Sequence, residues 1–396
     1  MLQNLGGIAM KAQHIDQILQ RAVSEGKVPG VVAVAANDNG LVYQGAFGKR
    51  SIDSDTPMTL DTVFWIASMS KAITSVAAMQ LVEKGKLQLD EPLNRVLPEL
   101  DSIQVLEGFD SNGHPKLRAP KKPITLRHLL THTAGFTYDM WNADMVRYME
   151  YEKIPGIIEC KNASLKTPLV FDPGDRWEYG INIDWVGKAV EAVSGQSLRD
   201  YLKDHIFIPL GMDDTDFIIH PEARSRMAAM HQRDNNGVLN RIDFEVPQEP
   251  EFFMGGGGLY STAEDYLKFL QMLLHGGTFK GVRILKSETV KEMGINQIGD
   301  LNVLTMRSAI PSVTNDVEFF PGMVKKWGLG HMITTEDAPT GRSAGSLAWA
   351  GLGNTYYWID PVKRVTGVLL TQILPFADDS VLELLAKFET AIYEQL

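Results

Sequence analysis

The order of patterns along the chain predicts an α/β (α+β) fold, an antiparallel sheet flanked by helices plus a mostly helical domain. Strand patterns gather at the two ends of the chain, helical patterns fill its middle, and an amphipathic helix follows the last strands. One sheet built from both ends, with the helical part inserted between, gives every apolar face a partner. The expected division sets 11–66 and 325–396 in the α/β part and 67–324 in the mostly helical part with long loops. The site is expected at their interface.

Residues 11–25 read as a helix, with Ile15, Ile18, Leu19 and Ala22 on one face. Val31–Ala36 and Leu41–Phe47 read as strands joined at Asp38-Asn39-Gly40, a hairpin turn. Val63–Ala67 is an apolar approach, and Ala72–Val82 reads as a buried helix stopping at Gly85. Leu126–Thr131 and Trp185–Val193 are helical patterns, and Thr262–Leu274 carries a capping signal at its start. Leu347–Gly351, Thr355–Ile359 and Thr366–Gln372 read as strands separated by turns, and Val381–Tyr393 as the closing helix.

A chain of 396 residues can bury a large core. Its 44% hydrophobic and 22% charged content is that of a globular protein. A net charge of −11 argues against a nucleic-acid partner, which calls for a basic stripe. The single cysteine, Cys160, rules out an intramolecular disulfide and cysteine-based metal sites, and it reads as an inert thiol. No run of 18 apolar residues predicts a membrane span. Met1–Ala9 is too short and too polar for a secretory signal and reads as a vector-derived or misassigned start before Met10; the default location is cytoplasmic. No cofactor or metal is expected.

The most informative stretch is Ser68-Met69-Ser70-Lys71, ahead of the apolar helix pattern. A serine at a helix start with a lysine three residues on brings hydroxyl and amine to one face, where the pair can make a nucleophile without histidine. About one or two such quartets arise by chance in a chain this long. Ser24-Glu25-Gly26-Lys27 is one, and it falls where a helix pattern ends among Gly26, Pro29 and Gly30. A C-cap and turn there separate Lys27 from Ser24.

Two further stretches join Ser68. Tyr179 follows the turn Asp172-Pro173-Gly174 and precedes a helix; alone it reads as a packed amphipathic side chain. Trp349-Ala350-Gly351-Leu352-Gly353-Asn354 spans a strand and its turn, and Gly351 marks close backbone approach to a ligand or a packed turn. In order, the three motifs resemble the serine β-lactamase and penicillin-binding protein superfamily. The chain is most similar there to the class C β-lactamase-like esterases, the family VIII carboxylesterases. Leu129–Gly135, Phe171–Tyr179, Pro209–Met212 and Gly255–Thr262 extend the resemblance from about residue 11 to the C-terminus. The superfamily's Tyr-x-Asn calls for asparagine at 181, where this chain has Ile181 and then Asn182.

The resemblance implies a β-lactamase-like fold and a serine hydrolase that cleaves short-chain carboxylic esters through an acyl-enzyme on Ser68. It implies Lys71 and Tyr179 as catalytic partners, with either Lys71 as the base or a protonated Lys71 holding Tyr179 as phenolate. It further implies an oxyanion hole from the Ser68 and Leu352 backbone N–H groups. Trp349, Gly351 and Asn182 are the implied substrate contacts. Trp349 stands where the superfamily's Lys-Thr-Gly has its lysine, and a flat apolar wall there favours small neutral esters. The alternatives are a β-lactamase, a D-amino-acid peptidase or transesterase, or a non-catalytic penicillin-recognising domain.

Three other signals read as structural. Gly341-Arg342-Ser343-Ala344-Gly345 matches a nucleophile elbow, but it lies in a polar stretch that leads into a strand. His128 and His132 lack the glutamate of a zinc helix. Gly255–Gly258 lacks the Lys-Ser/Thr of a phosphate loop and reads as a tight turn beside the cleft.

Overall fold

The computed structural model of the chain describes residues 2–396, with side chains from residue 12 onward. The reading of Met1–Ala9 rests on side chains outside those described. The first helix, α1, spans Leu2–Ser24 and buries Ile15, Leu19 and Ala22. Strands β1 (Gly30–Asn37) and β2 (Gly40–Gly48) follow as the expected hairpin. Helix α2 (Ser70–Glu83) ends before Gly85, whose φ of 71° is the left-handed turn that glycine adopts freely. Helices α3 (Leu126–Leu130), α4 (Asn182–Ser194) and α5 (Ala263–Leu274) occupy the middle. Thr262 caps α5 by accepting the Asp265 N–H, as its sequence signals.

The chain then returns to strands β3 (Lys325–Trp327), β4 (Met332–Thr334), β5 (Leu347–Gly351), β6 (Thr355–Asp360) and β7 (Val365–Leu370), and closes with α6 (Asp379–Tyr393). The sheet order is β3-β4-β5-β6-β7-β1-β2, with every neighbour antiparallel. The α/β class and the sheet from both chain ends are as the sequence indicates. The edge strand β3 and its neighbour β4 are not legible in the sequence: each has three residues, and a Gly328-Leu329-Gly330 turn lies between them. The hairpin of Val105–Phe109 with Pro115–Arg118 is likewise hidden among expected helices.

Both faces of the sheet are covered, so β1 is buried almost throughout rather than alternating. On one face, Phe388 of α6 packs on Tyr43 and Trp358; on the other, Tyr266 of α5 packs on Tyr357. Helix α5 lies on β1, β6 and β7, so this portion of 67–324 sits against the sheet rather than apart from it. An amphipathic helix is placed by whatever apolar surface is free to receive it, not by its neighbours in sequence.

Strand β5 positions the site. Gly351 crosses so close to the chain before Ser68 that a Cβ there would run into Ile66 O and Thr355 Oγ1. The close approach at Gly351 is to the protein's own chain at Ile66 and Thr355. Gly351→Ala is expected to cost about 1–3 kcal/mol of stability through overpacking. It should also slow acylation, because Ile66 lies two residues from Ser68; a melting curve and a labelling rate check both.

Candidate active site

Ser68 sits in a single 3-10 turn, Ala67–Met69, and α2 begins two residues later at Ser70. Ala67 has φ 45°, a strained value for a non-glycine residue, and its place beside a candidate nucleophile is typical of such strain. The turn is pinned from outside: the Leu259 N–H donates to Ser70 Oγ, and the Tyr266 hydroxyl donates to Met69 O. Helix α2 is buried from Ser70 to Leu81, and Lys71 within it is 1% exposed.

The Lys71 amine makes three contacts. It donates to Ser68 Oγ at 3.0 Å, to the Tyr138 hydroxyl at 2.8 Å and to Gly256 O at 2.6 Å. Burial pushes its pKa down, with the Asp184 carboxylate pulling the other way. The turn expected at Gly255–Gly258 lies beside this group: Thr74 donates to Gly255 O and Trp65 Nε1 to Gly257 O.

Tyr179 is buried, and its ring lies 4.7 Å from the Lys71 amine. Burial raises its phenol pKa, opposed by hydrogen bonds with Ser68 and Trp349. Ser68, Lys71 and Tyr179 are thus brought together. Trp349 Nε1 donates to the Tyr179 hydroxyl at 3.0 Å, and its ring packs on Tyr179, Phe319 and Trp327. The flat apolar wall expected of Trp349 therefore stands behind Tyr179, 4% exposed, rather than facing the opening. The three rings around it keep it out of the lining of the Ser68 cleft.

Asn182 also departs from its expected role. It is the first residue of α4, one position beyond the superfamily spacing, and its side chain meets His132 Nδ1 at 3.0 Å. It reaches the site only through His132, whose ring lies 4.9 Å from that of Tyr179. Burial and the Lys71 charge hold His132 well below the ordinary histidine pKa, so it is neutral. His128 instead caps α3, its Nδ1 accepting the Thr125 N–H. The two histidines serve separate structures.

Tyr138 and Asp184 are absent from the sequence reading. Tyr138 is one of eleven tyrosines and carries no local signal. Asp184 is flanked by Ile183, Trp185 and Val186, and a carboxylate inside an apolar run is itself a signal that sequence reasoning could have used. Ser343 lies in a loop, its N–H donating to Asp360 Oδ2, beside the buried Arg342–Glu389 ion pair.

Ser68 opens into a small cleft of about 50 Å³. Leu352, on the turn after β5, lines it with Trp65, Met140, Trp141, Ile158 and Met254. Among the described residues the lining contains no Lys, Arg, Asp or Glu. A nucleophile, a deprotonable amine and two phenols at the base of an apolar cleft make an arrangement suited to acyl transfer.

This fold and site define a serine enzyme of the β-lactamase and penicillin-binding protein superfamily: the chain belongs to the Beta-lactamase family, which it matches over residues 15–391. It is 32% identical to ML-236A carboxylate methylbutanoyltransferase of Penicillium citrinum, over 96% of this chain and 94% of that protein. It is also 32% identical to lovastatin esterase of Penicillium rubens, over 96% and 98%. A mutant simvastatin synthase from Aspergillus terreus superposes with a TM-score of 0.85 at 32% identity, over 98% of both chains. These relatives are acyl-transferring and ester-cleaving enzymes.

Proposed function

We propose that the protein transfers a short acyl group from a neutral ester to an alcohol through an acyl-enzyme on Ser68, with hydrolysis as the branch in which water replaces the alcohol. The observation that carries this is the Lys71 amine, buried and 3.0 Å from Ser68 Oγ. As a neutral amine it takes the Ser68 proton while Oγ attacks the ester carbonyl. The carbonyl reforms, the ester C–O bond breaks, and the leaving alkoxide receives the proton from Lys71 or through Tyr179. A second alcohol then attacks the acyl-enzyme by the same steps reversed. The Ser68 and Leu352 N–H groups are the proposed oxyanion donors.

The apolar, uncharged lining supports neutral esters over β-lactams and D-peptides, whose carboxylates call for a cation. The methylbutanoyltransferase supports transfer as the principal reaction, and the esterase supports the hydrolytic branch. The test is p-nitrophenyl butyrate with and without an alcohol acceptor. Alcohol should accelerate p-nitrophenol release and yield the new butyrate ester. Free butyrate alone at every alcohol concentration would reduce the reading to an esterase. A higher kcat/KM for a cephalosporin would overturn it.

The pH dependence follows from Lys71. The base must be neutral, and burial lowers its pKa. Acylation should therefore rise with pH and reach its plateau well below the ordinary lysine value of about 10.4. A limb centred at that ordinary value would exclude Lys71 as the base.

A further inference from the structure

We propose that Asp184 is a positioning residue for this reaction: its carboxylate fixes the Gly256 peptide, whose carbonyl in turn fixes the Lys71 amine beside Ser68. The proposal rests on the reading of Ser68 and Lys71 given above. The Gly256 N–H donates to Asp184 Oδ1 at 2.9 Å, and Lys71 donates to Gly256 O at 2.6 Å. One peptide group is thus held between an anion and the candidate base. A Cβ at 256 would stand 2.9 Å from Asp184 Oδ2 and would push the carboxylate out of place.

Asp184 Oδ2 is buried with no hydrogen-bond partner among the described residues. A carboxylate oxygen left unpaired in the interior is costly and calls for a compensating role. Part of that compensation is its place in the first turn of α4, where the helix favours an anion. The rest is Lys71, whose charge Asp184 favours while burial opposes it.

The other titratable groups around the pair hold fixed states. Burial keeps His132 deprotonated, and it keeps Tyr138 and Tyr179 protonated. Cys160, which also faces Asp184, stays a thiol for the same reason. Asp139 acts on Tyr138. Asp184 is therefore the group whose charge sets how readily Lys71 gives up its proton.

The test is the rate at which a fluorophosphonate phosphonylates Ser68, with fluoride leaving, followed against pH in wild type, D184N, D184A and S68A. Asparagine keeps an oxygen for the Gly256 N–H and removes the charge. D184N should label with its acid limb moved about one to three units toward lower pH, the scale on which a neighbouring opposite charge shifts a pKa. D184A, which loses the anchor as well, should label about 10- to 100-fold more slowly on its plateau, and D184N should recover most of that rate. A D184N profile that superimposes on wild type overturns the proposal, whether or not D184A folds. A wild-type protein that does not label, or an S68A protein that does, overturns the reading of Ser68 itself.

Discussion

Ser68→Ala is expected to abolish acyl-enzyme formation and to lower turnover by roughly 10⁴- to 10⁶-fold, the scale seen when a serine nucleophile is removed. No neighbouring group can substitute. Tyr138 and Tyr179 are held protonated by burial, and the Ser70 hydroxyl is occupied by the Leu259 N–H. The fold should tolerate the change. Ser68 is only partly buried, and it gives up its hydrogen bonds with Lys71 and Tyr179, worth about 1 kcal/mol each. An intact melting transition with no labelled protein by mass spectrometry is the expected pair of results. Ser343→Ala is the matched control: its motif resembles a nucleophile elbow, its location is a loop, and it should turn over like wild type. Residual wild-type turnover in Ser68→Ala would remove Ser68 from the mechanism.

Lys71→Met is expected to separate activity from stability. Methionine matches the length of the lysine stem and removes the amine, so acylation should fall about 10²- to 10⁴-fold, the range attributed to a general base. Stability should move the other way near neutral pH. With its folded pKa lowered by burial, Lys71 binds fewer protons in the native than in the unfolded state. Native stability therefore rises with pH between the folded value and about 10.4, and it is lowest below that window. Methionine removes this penalty, at the expense of leaving Gly256 O and the Tyr138 hydroxyl without their donor, about 1–3 kcal/mol each. The variant should melt at or above the wild-type temperature near neutral pH and lose that advantage in strong alkali. A large fall in melting temperature would mean that the amine is chiefly a structural link.

Local pattern made much of the fold readable. The hairpin of β1 and β2, the apolar helix α2, the Thr262 cap and the strands β5 to β7 all announce themselves through periodicity or turn chemistry, which depend on adjacent residues. The strands β3 and β4 do not, because three residues are too few to establish a period. The packing of α5 on the sheet does not either, because an amphipathic stripe says that a helix will bury a face and not against what.

The site divides along the same line. Ser68 and Lys71 are three residues apart, and the helix that joins them is written in the residues that follow; their pairing is a local fact that the sequence determined by itself. Tyr179 and Trp349 were found by the order of motifs. Only the tertiary structure decided that Trp349 stands behind Tyr179, that Asn182 turns to His132, and that Tyr138, the Gly256 carbonyl and Asp184 surround the Lys71 amine. Those groups are separated from Lys71 by tens to nearly two hundred residues of chain, and Gly256 contributes through its backbone. The chemistry of the amine depends on how completely it is removed from water and on which charge is buried beside it, and both are set when distant segments close over it.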